Sequence, residues 1–479
     1  MKRREFLKKC SLAAGSVAAL GSGALAGGIQ FANNTMGLRI GAKRYNVLFV
    51  LADQWRFCSL SHGAHHDRLV RTPNLDKVAK QGAHWGRCYA THPVCTPNRS
   101  SIITGRWPWQ TGMNKNDLML PPSERCIAHE FTDAGYNCHY IGKWHMNGPG
   151  KFNGAGYVPQ DWHRRGFTTF EGFNRGHNYW YHNSFMITDD GVELSTLGLY
   201  PSDTYEPTFQ TDFAIKFMEQ NKNHPFFCYV SWGPPHTPYD DHPPEFSYNP
   251  ADVVTRPNVP PESVGDAQGS LNDYFTHCTT MDHEFGRLMD TLEKEGLADN
   301  TLVVFSADHG DMHRSHNLTY KGKPEEESWH VPLIMRLPGK IKPGLVVDNL
   351  ISSADLMPTI LSICGLDLPG TCTGKDKSTA MSDSGMADES IYGGVQDEWR
   401  AVVKEDYKLV IEGNGDGVTE IPTKMYNLNT DPYEMTNLIN DPVYDSVKTD
   451  LLAEIQIWKT KTSDSFPEAP WNAETVYDV

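Results

Sequence analysis

Four predominantly apolar runs frame the chain, at residues 45–52, 136–141, 226–230 and 301–307. The first is apolar throughout after Asn46, which is the pattern of a strand buried on both faces, as strands of a parallel sheet are. Between these runs the apolar positions recur at helical spacing. They predict helices at 72–81 with Pro73 in the first turn, at 209–220, at 271–295 with Gly296 after it, and at 355–363 before Gly365. Strands alternating with helices predict an α/β fold, a large and mostly parallel sheet flanked by helices.

The pattern changes near residue 367. A Gly/Ser/Thr/Asp-rich stretch to residue 390 reads as a loop or linker. Short strands follow at 401–403, 407–411 and 424–428, with a glycine-rich turn at 413–417 and then a helix over 443–459. These predict a small C-terminal antiparallel sheet with a helix on it. The expected organisation is a main domain over 44–370, a linker over 371–390 and a C-terminal subdomain over 391–479, without internal repeats.

Each main strand runs into polar residues: Asp53 after the first, Lys143 after the second, His236 beyond the third, and Asp308 with His309 after the fourth. Open parallel sheets bind ligands beyond the carboxyl ends of their strands, so these residues are expected to meet at one edge.

Composition narrows the partners. The 479 residues are 39% hydrophobic and carry a formal net charge of −16, which suits a globular protein and argues against nucleic acid, whose binding needs a basic face. Residues 1–30 begin with Lys2, Arg3 and Arg4, continue in an Ala/Gly/Ser/Leu run and reach an Ala24-Leu25-Ala26 cleavage-like site. This stretch resembles a bacterial twin-arginine export signal and implies a periplasmic or secreted protein. Its glycine and serine content is too high for a spanning helix, so no stable membrane insertion is expected. The ten cysteines include no Cys-X-X-Cys pair, so a zinc cluster is not expected. An oxidising destination would permit a bridge such as Cys364 to Cys372.

The densest chemistry lies at Cys95-Thr-Pro-Asn-Arg-Ser-Ser-Ile-Ile-Thr-Gly-Arg106. Thr96 can cap a helix that holds Pro97 in its first turn, buries Ile102 and Ile103, and stops at Gly105. Cys95 would then sit at a helix N-terminus, where free N–H groups favour an anion, and Arg99 one turn on adds a fixed charge suited to a tetrahedral oxyanion. The segment resembles the Cys-X-Pro-X-Arg signature of the formylglycine-dependent sulfatases, with Asn98 where Ser or Ala is usual. That resemblance implies that Cys95 is oxidised by a formylglycine-generating enzyme and that the hydrated aldehyde attacks the sulfur of a sulfate ester. It also implies the alkaline phosphatase-like form of the fold, with a large mixed, mostly parallel sheet. The succession Arg400-Ala-Val, Tyr407-Lys-Leu and Tyr426 to Asn437 resembles the C-terminal subdomain of bacterial sulfatases.

Further segments carry the same resemblance. Asp53-Gln54 and Asp308-His309 resemble the two halves of the family's metal site, which with residue 95 would hold a divalent cation. The resemblance implies Ca2+, and Mg2+, Mn2+ or Zn2+ rank behind it. Gln54 and His309 stand where Asp and Asn are common. Gly142-Lys143-Trp144-His145 resembles the motif whose lysine binds sulfate and whose histidine bonds the formylglycine hydroxyl, which makes His145 the base that regenerates the aldehyde. His236 falls on a second family histidine and Lys321 on a second lysine, with Lys323 a competing assignment. Either His236 or Lys321 would protonate the departing alkoxide. Between Trp107 and His182 an aromatic and basic segment, with His163, Arg164, Arg165, Arg175, His177 and His182, could line a cleft for a sulfated glycan.

The expected activity is hydrolysis of a sulfate ester, on a sulfated carbohydrate ahead of a small sulfate ester. Two alternatives stand beside it. One is a phosphonate monoester or phosphate diester hydrolase of the same superfamily, in which Gln and His are frequent at the positions of Gln54 and His309. The other is a non-catalytic glycan-binding protein with an unmodified Cys95.

Overall fold

The computed structural model describes residues 43–63, 65–148, 158–381 and 390–467. The expected export signal, together with part of the 371–390 linker, lies outside the described residues. Among the described residues no helix is long and apolar enough to cross a membrane.

The strands in chain order are β1 (Asn46–Asp53), β2 (Ala83–Trp85), β3 (Cys88–Tyr89), β4 (Asn137–Lys143), β5 (Thr169–Phe173), β6 (Phe226–Pro235), β7 (Thr301–Ala307), β8 (His330–Val331), β9 (Leu333–Arg336), β10 (Leu345–Val347) and β11 (Ile351–Ser352), followed by β12 (Ile391–Val395), β13 (Trp399–Lys404), β14 (Tyr407–Gly413) and β15 (Glu420–Asn427). Among the described residues they form an eight-stranded sheet in the order β10-β2-β9-β7-β1-β6-β4-β5, a three-stranded sheet β11-β3-β8, and the four-stranded sheet β12-β13-β14-β15. In the large sheet β1 runs parallel to β6 and β7, and β4 parallel to β5 and β6, while β9 runs antiparallel to β7 and β2. All four apolar runs are therefore strands. Their places, β7-β1-β6-β4, are contiguous, and Asp308, Asp53, His236 and Lys143 follow one another along the carboxyl edge.

β1, β6 and β7 are buried at every position, so burial of their apolar side chains, about 25 cal/mol per Å² removed from water, drives the sheet together. The helices Pro73–Gln81, Glu206–Gln220, Val264–Lys294 and Ser353–Cys364 occur where helical spacing predicted them. The third starts seven residues before Leu271, because its first two turns are polar and carry Gly265 and Gly269, which masks the period. The fourth is closed by a reciprocal cap in which the Ser352 N–H donates to Asp355 Oδ2 at 2.8 Å, and by Gly365 at φ +70°.

The four-stranded C-terminal sheet is antiparallel throughout, and the helix Asp445–Thr462 packs on it. Its edge strand β12 escaped the sequence pattern because Gly393 and Gly394 disfavour a strand. A Cβ at Gly393 would lie 2.9 Å from both Thr91 O and the Trp329 indole nitrogen, so the glycine lets β12 close against the loop that leads to Cys95. Buried ion pairs complete the join, Lys408 with Glu326 at 2.9 Å and with Glu434. The anticipated bridge between Cys364 and Cys372 is absent. Both are free thiols, as is every cysteine among the described residues, and Cys372 packs instead against Gly105.

Candidate active site

The helix Cys95–Thr104 starts at Cys95 itself, with Val94 and not Thr96 in the capping position. Thr96 lies inside the first turn, where its Oγ1 donates to His145 O at 2.6 Å. Gly105 ends the helix at φ +65°, as expected. Every residue of this helix is buried, not only Ile102 and Ile103, because its polar side chains find partners. Asn98 accepts from the Thr91 N–H and hydroxyl, both at 3.0 Å, and donates to Asp308 O at 2.6 Å. An amide thus ties the helix to the end of β7, which neither Ser nor Ala at this position could do.

Around the Cys95 thiol stand the side chains delivered by the strand ends. Lys321 Nζ is 3.2 Å from Sγ, His309 Nε2 3.2 Å, Asp53 Oδ1 3.7 Å and Lys143 Nζ 3.8 Å. Lys321 therefore takes the place for which Lys323 competed, and the Lys323 backbone N–H bonds to Ser328 Oγ. Burial would raise the Cys95 pKa, but Lys143, Lys321 and His309 outweigh it and hold it well below the ordinary thiol value. Asp53 is likewise held far down. Burial and Cys95 oppose its charge, and Lys143 and Arg99 prevail.

One ligand atom from each of Asp53, Cys95, Asp308 and His309 lies within 4.8 Å of the others, and all four residues are buried. Each carboxylate keeps one oxygen for this centre and gives the other to Arg99, whose NH2 is 3.3 Å from Asp53 Oδ2 and whose Nε is 2.8 Å from Asp308 Oδ2. Arg99 NH1 donates to Lys143 O at 2.9 Å and to Ser231 Oγ at 2.7 Å. The guanidinium is thus committed to the protein, and Arg99 braces the two aspartates where the sequence suggested a group facing an oxyanion. His309 Nδ1 lies 3.0 Å from Gly310 O and donates to it, which turns Nε2 toward Cys95.

Gln54 adds a fifth donor. Its Nε2 lies 2.5 Å from Asp311 Oδ2 and 3.2 Å from Tyr239 Oη, and the Tyr239 hydroxyl itself donates to Asp311. Only an NH2 group satisfies both partners, so the amide oxygen faces inward, 3.2 Å from Lys321 Nζ. Two carboxylates, an amide oxygen and an imidazole nitrogen form a set that fits a divalent cation. Glycines make the approach possible. A Cβ at Gly310 would lie 2.0 Å from Glu327 O, and one at Gly142, at φ +99°, would lie 2.1 Å from Ser231 O.

His236 Nδ1 lies 2.9 Å from Thr237 O and its Nε2 2.6 Å from Lys321 Nζ. The carbonyl can only accept, so Nδ1 carries hydrogen and Nε2 accepts from the lysine. Burial and Lys321 hold the His236 pKa down, while Cys95, Asp53 and Asp308 overcome burial to raise that of Lys321. Of the basic insert, His177 enters the centre with Nε2 3.2 Å from Lys143 Nζ, and Arg175 reaches its edge through Asp117 at 3.0 Å. The other four are engaged elsewhere. His163 pairs with Asp161, Arg164 with Asp189, Arg165 with Leu120 O, and His182 contacts Ser202 O at 2.8 Å. Asp117 and Asp311 were not legible as site residues, since neither stands in the segments that carry the resemblance except as an unremarked neighbour.

Comparison with known proteins agrees with this geometry. The sulfatase family model matches residues 45–366, and that of the N-sulphoglucosamine sulphohydrolase C-terminal region matches 316–461. An ulvan-active sulfatase of Formosa agariphila is 30% identical, over 88% of this chain and 82% of its own. An endo-4-O-sulfatase of Bacteroides thetaiotaomicron is 29% identical, over 70% and 72% respectively. Among solved structures, the sulfatase-type protein yidJ of Bacteroides fragilis superposes with a TM-score of 0.79 at 26% identity, over 89% of this chain and 98% of that one. The strand-end cluster, the mixed sheet and these matches lead to one assignment: the chain belongs to the sulfatase family of the alkaline phosphatase-like superfamily and is a sulfuric ester hydrolase.

Proposed function

We propose that the chain releases inorganic sulfate from a sulfated carbohydrate, using formylglycine derived from Cys95 and a divalent cation, Ca2+ before Mg2+, Mn2+ or Zn2+. One observation carries this reading. Burial pushes up the pKa of every other described cysteine, from about 11 at Cys58 and Cys372 to still higher at the rest, and Cys95 alone is pulled down. A packing thiol has no use for two lysines, whereas a reacting residue that meets an anionic sulfate ester does.

Asp53, Gln54 Oε1, Asp308, His309 Nε2 and residue 95 would hold the cation. When bound, it supplies Lewis acidity toward a sulfate oxygen and lowers the pKa of a neighbouring hydroxyl. Lys143 and Lys321 present their N–H donors to the remaining sulfate oxygens. Lys321 protonates the departing alkoxide, because His236 Nε2 is an acceptor in the hydrogen-bonding pattern. His145 takes the proton that leaves residue 95, and Arg175 and His177 meet the sugar at the rim. The carbohydrate preference is supported by the relative named for ulvan. We further propose that residues 1–30 are a twin-arginine signal, that the protein works in the periplasm or outside the cell, and that its domains follow 44–370, 371–390 and 391–479. A formylglycine-generating enzyme and the export machinery would be transient partners.

The test is sulfate release from defined sulfated mono- and oligosaccharides by protein co-produced with a formylglycine-generating enzyme, with a phosphate diester run in parallel and the mass of the residue-95 peptide measured. Sulfate release by aldehyde-bearing protein is expected. Faster turnover of the phosphate diester would favour the phosphorus hydrolase, which Gln54 and His309 suit equally well, and glycan binding without turnover on an intact thiol would leave a binding protein.

A further inference from the structure

The centre contains a base whose second nitrogen is spoken for. His145 Nε2 lies 3.2 Å from Asp117 Oδ1, and an ionised carboxylate only accepts, so Nε2 carries the hydrogen. Nδ1 is buried and has no hydrogen-bond partner among the described residues, and the ring lies within interaction range of the Cys95 side chain. The backbone at this point is pinned on both sides. His145 N donates to Asn174 O at 2.5 Å, His145 O accepts from Thr96 Oγ1 at 2.6 Å, and the residue sits at φ +59°. Such a conformation is strained and persists where surrounding contacts impose it. Asp117 also has a left-handed backbone, φ +63°, and its N–H donates to the same Thr96 Oγ1 at 3.4 Å. One hydroxyl, next in sequence to Cys95, thus sets the positions of both the base and its carboxylate. Arg175 NH1 lies 3.0 Å from Asp117 Oδ1 and holds it from the solvent side.

We infer that Asp117 is a positioning residue for the sulfatase reaction: it keeps the His145 hydrogen on Nε2 and so presents a bare Nδ1 to the side chain of residue 95. The inference rests on the reading of residue 95 as the reacting group, but its first test does not. The proton taken by Nδ1 comes from a hydroxyl on residue 95, and the imidazolium so formed is stabilised by the carboxylate on the other nitrogen.

The tautomer can be read directly from long-range proton–nitrogen spectra of 15N-histidine-labelled Cys95→Ala protein, which cannot be modified, with the His145 ring assigned by its loss in the additional His145→Gln variant. The expected pattern is Nε2 protonated and Nδ1 bare. A ring protonated on Nδ1 alone overturns the inference whatever any variant at position 117 does. Asp117→Asn offers an amide that can donate to Nε2, and should move the hydrogen to Nδ1. In the modified enzyme the same change should lower kcat by about 10–100-fold while KM for a small aryl sulfate stays within about 2-fold; the loss is smaller than in a fully buried triad because the Asp117 side chain is 38% exposed. Arg175→Gln should keep the wild-type tautomer. Undiminished kcat in Asp117→Asn, or a rise in KM alone, overturns the inference. Turnover by wild-type protein with an intact Cys95 thiol would instead sink the formylglycine reading and leave the tautomer result standing.

Discussion

His177 and His236 stack face to face, their ring centroids 3.7 Å apart and their planes 5° from parallel, and each turns its Nε2 to a different lysine, His177 to Lys143 and His236 to Lys321. Burial lowers both imidazole pKa values and each adjacent lysine lowers its own partner's further. The pair is therefore a neutral wall that aims two ammonium groups at Cys95.

On the proposed reading Lys321 is the proton donor. Lys321→Ala should reduce kcat/KM for an alkyl sulfate by roughly 100- to 10,000-fold, the range of general acid catalysis. With a nitrophenyl sulfate, whose leaving group needs no proton, the loss should be clearly smaller. Steady-state kinetics on the two substrates checks this, and equal losses would assign Lys321 to sulfate binding alone.

Cys95→Ala should abolish turnover and leave the fold intact, because the helix is held by Asn98, Arg99 and Gly105 and not by the thiol. Sulfate release and circular dichroism, measured on the same preparation, read the two halves of the statement. Residual activity near the wild-type value would contradict a reacting residue at position 95.

Asp311 would control the proposed metal site without entering it, since its carboxylate dictates which end of the Gln54 amide faces inward. Loss of such an outer partner typically weakens metal affinity by about 10–100-fold. After chelation, Asp311→Ala should need that much more Ca2+ than the wild type to recover its melting temperature in a titration. Identical titration curves would remove Asp311 from this role.

The frame of the fold was legible because burial imprints itself on sequence. A strand buried on both faces, such as β1, must be apolar throughout, and a helix against a sheet must repeat its apolar face. The same logic fails where polar groups are buried in pairs. Thr96 and Asn98 look like surface residues until His145 O, Asp308 O and Thr91 are brought to them by the fold. Asp117 lies 28 positions from the imidazole it touches, and its neighbours Asn114, Lys115 and Asn116 give it the look of an ordinary turn. Arg164 and Arg165 carried the opposite lesson. Their charge suggested a ligand, but Asp189 and Leu120 O absorb it.

Glu327 should contribute to the acid limit of stability. Burial disfavours its charge, but Arg256, 2.7 Å away, and Arg56 lower its pKa from 4.5 to about 2. A carboxyl held below its unfolded value stabilises the fold above pH 4.5, and that contribution is lost as pH falls from about 4.5 through about 2. It amounts to about 3 kcal/mol. Urea unfolding from pH 7 to pH 3 should show the decline, and Glu327→Gln should lower stability at pH 7 and flatten the acid limb. A variant as stable as the wild type at pH 7 would contradict the pairing.

The nine free sulfhydryls of the described residues bear on how the enzyme matures. With no crosslink among the described residues, they need no oxidant to reach their fold, and dithiothreitol has nothing structural to cut there. On the proposed reading, a catalyst that oxidises residue 95 could therefore act under reducing conditions, and the finished molecule could move to an oxidising one without rearrangement.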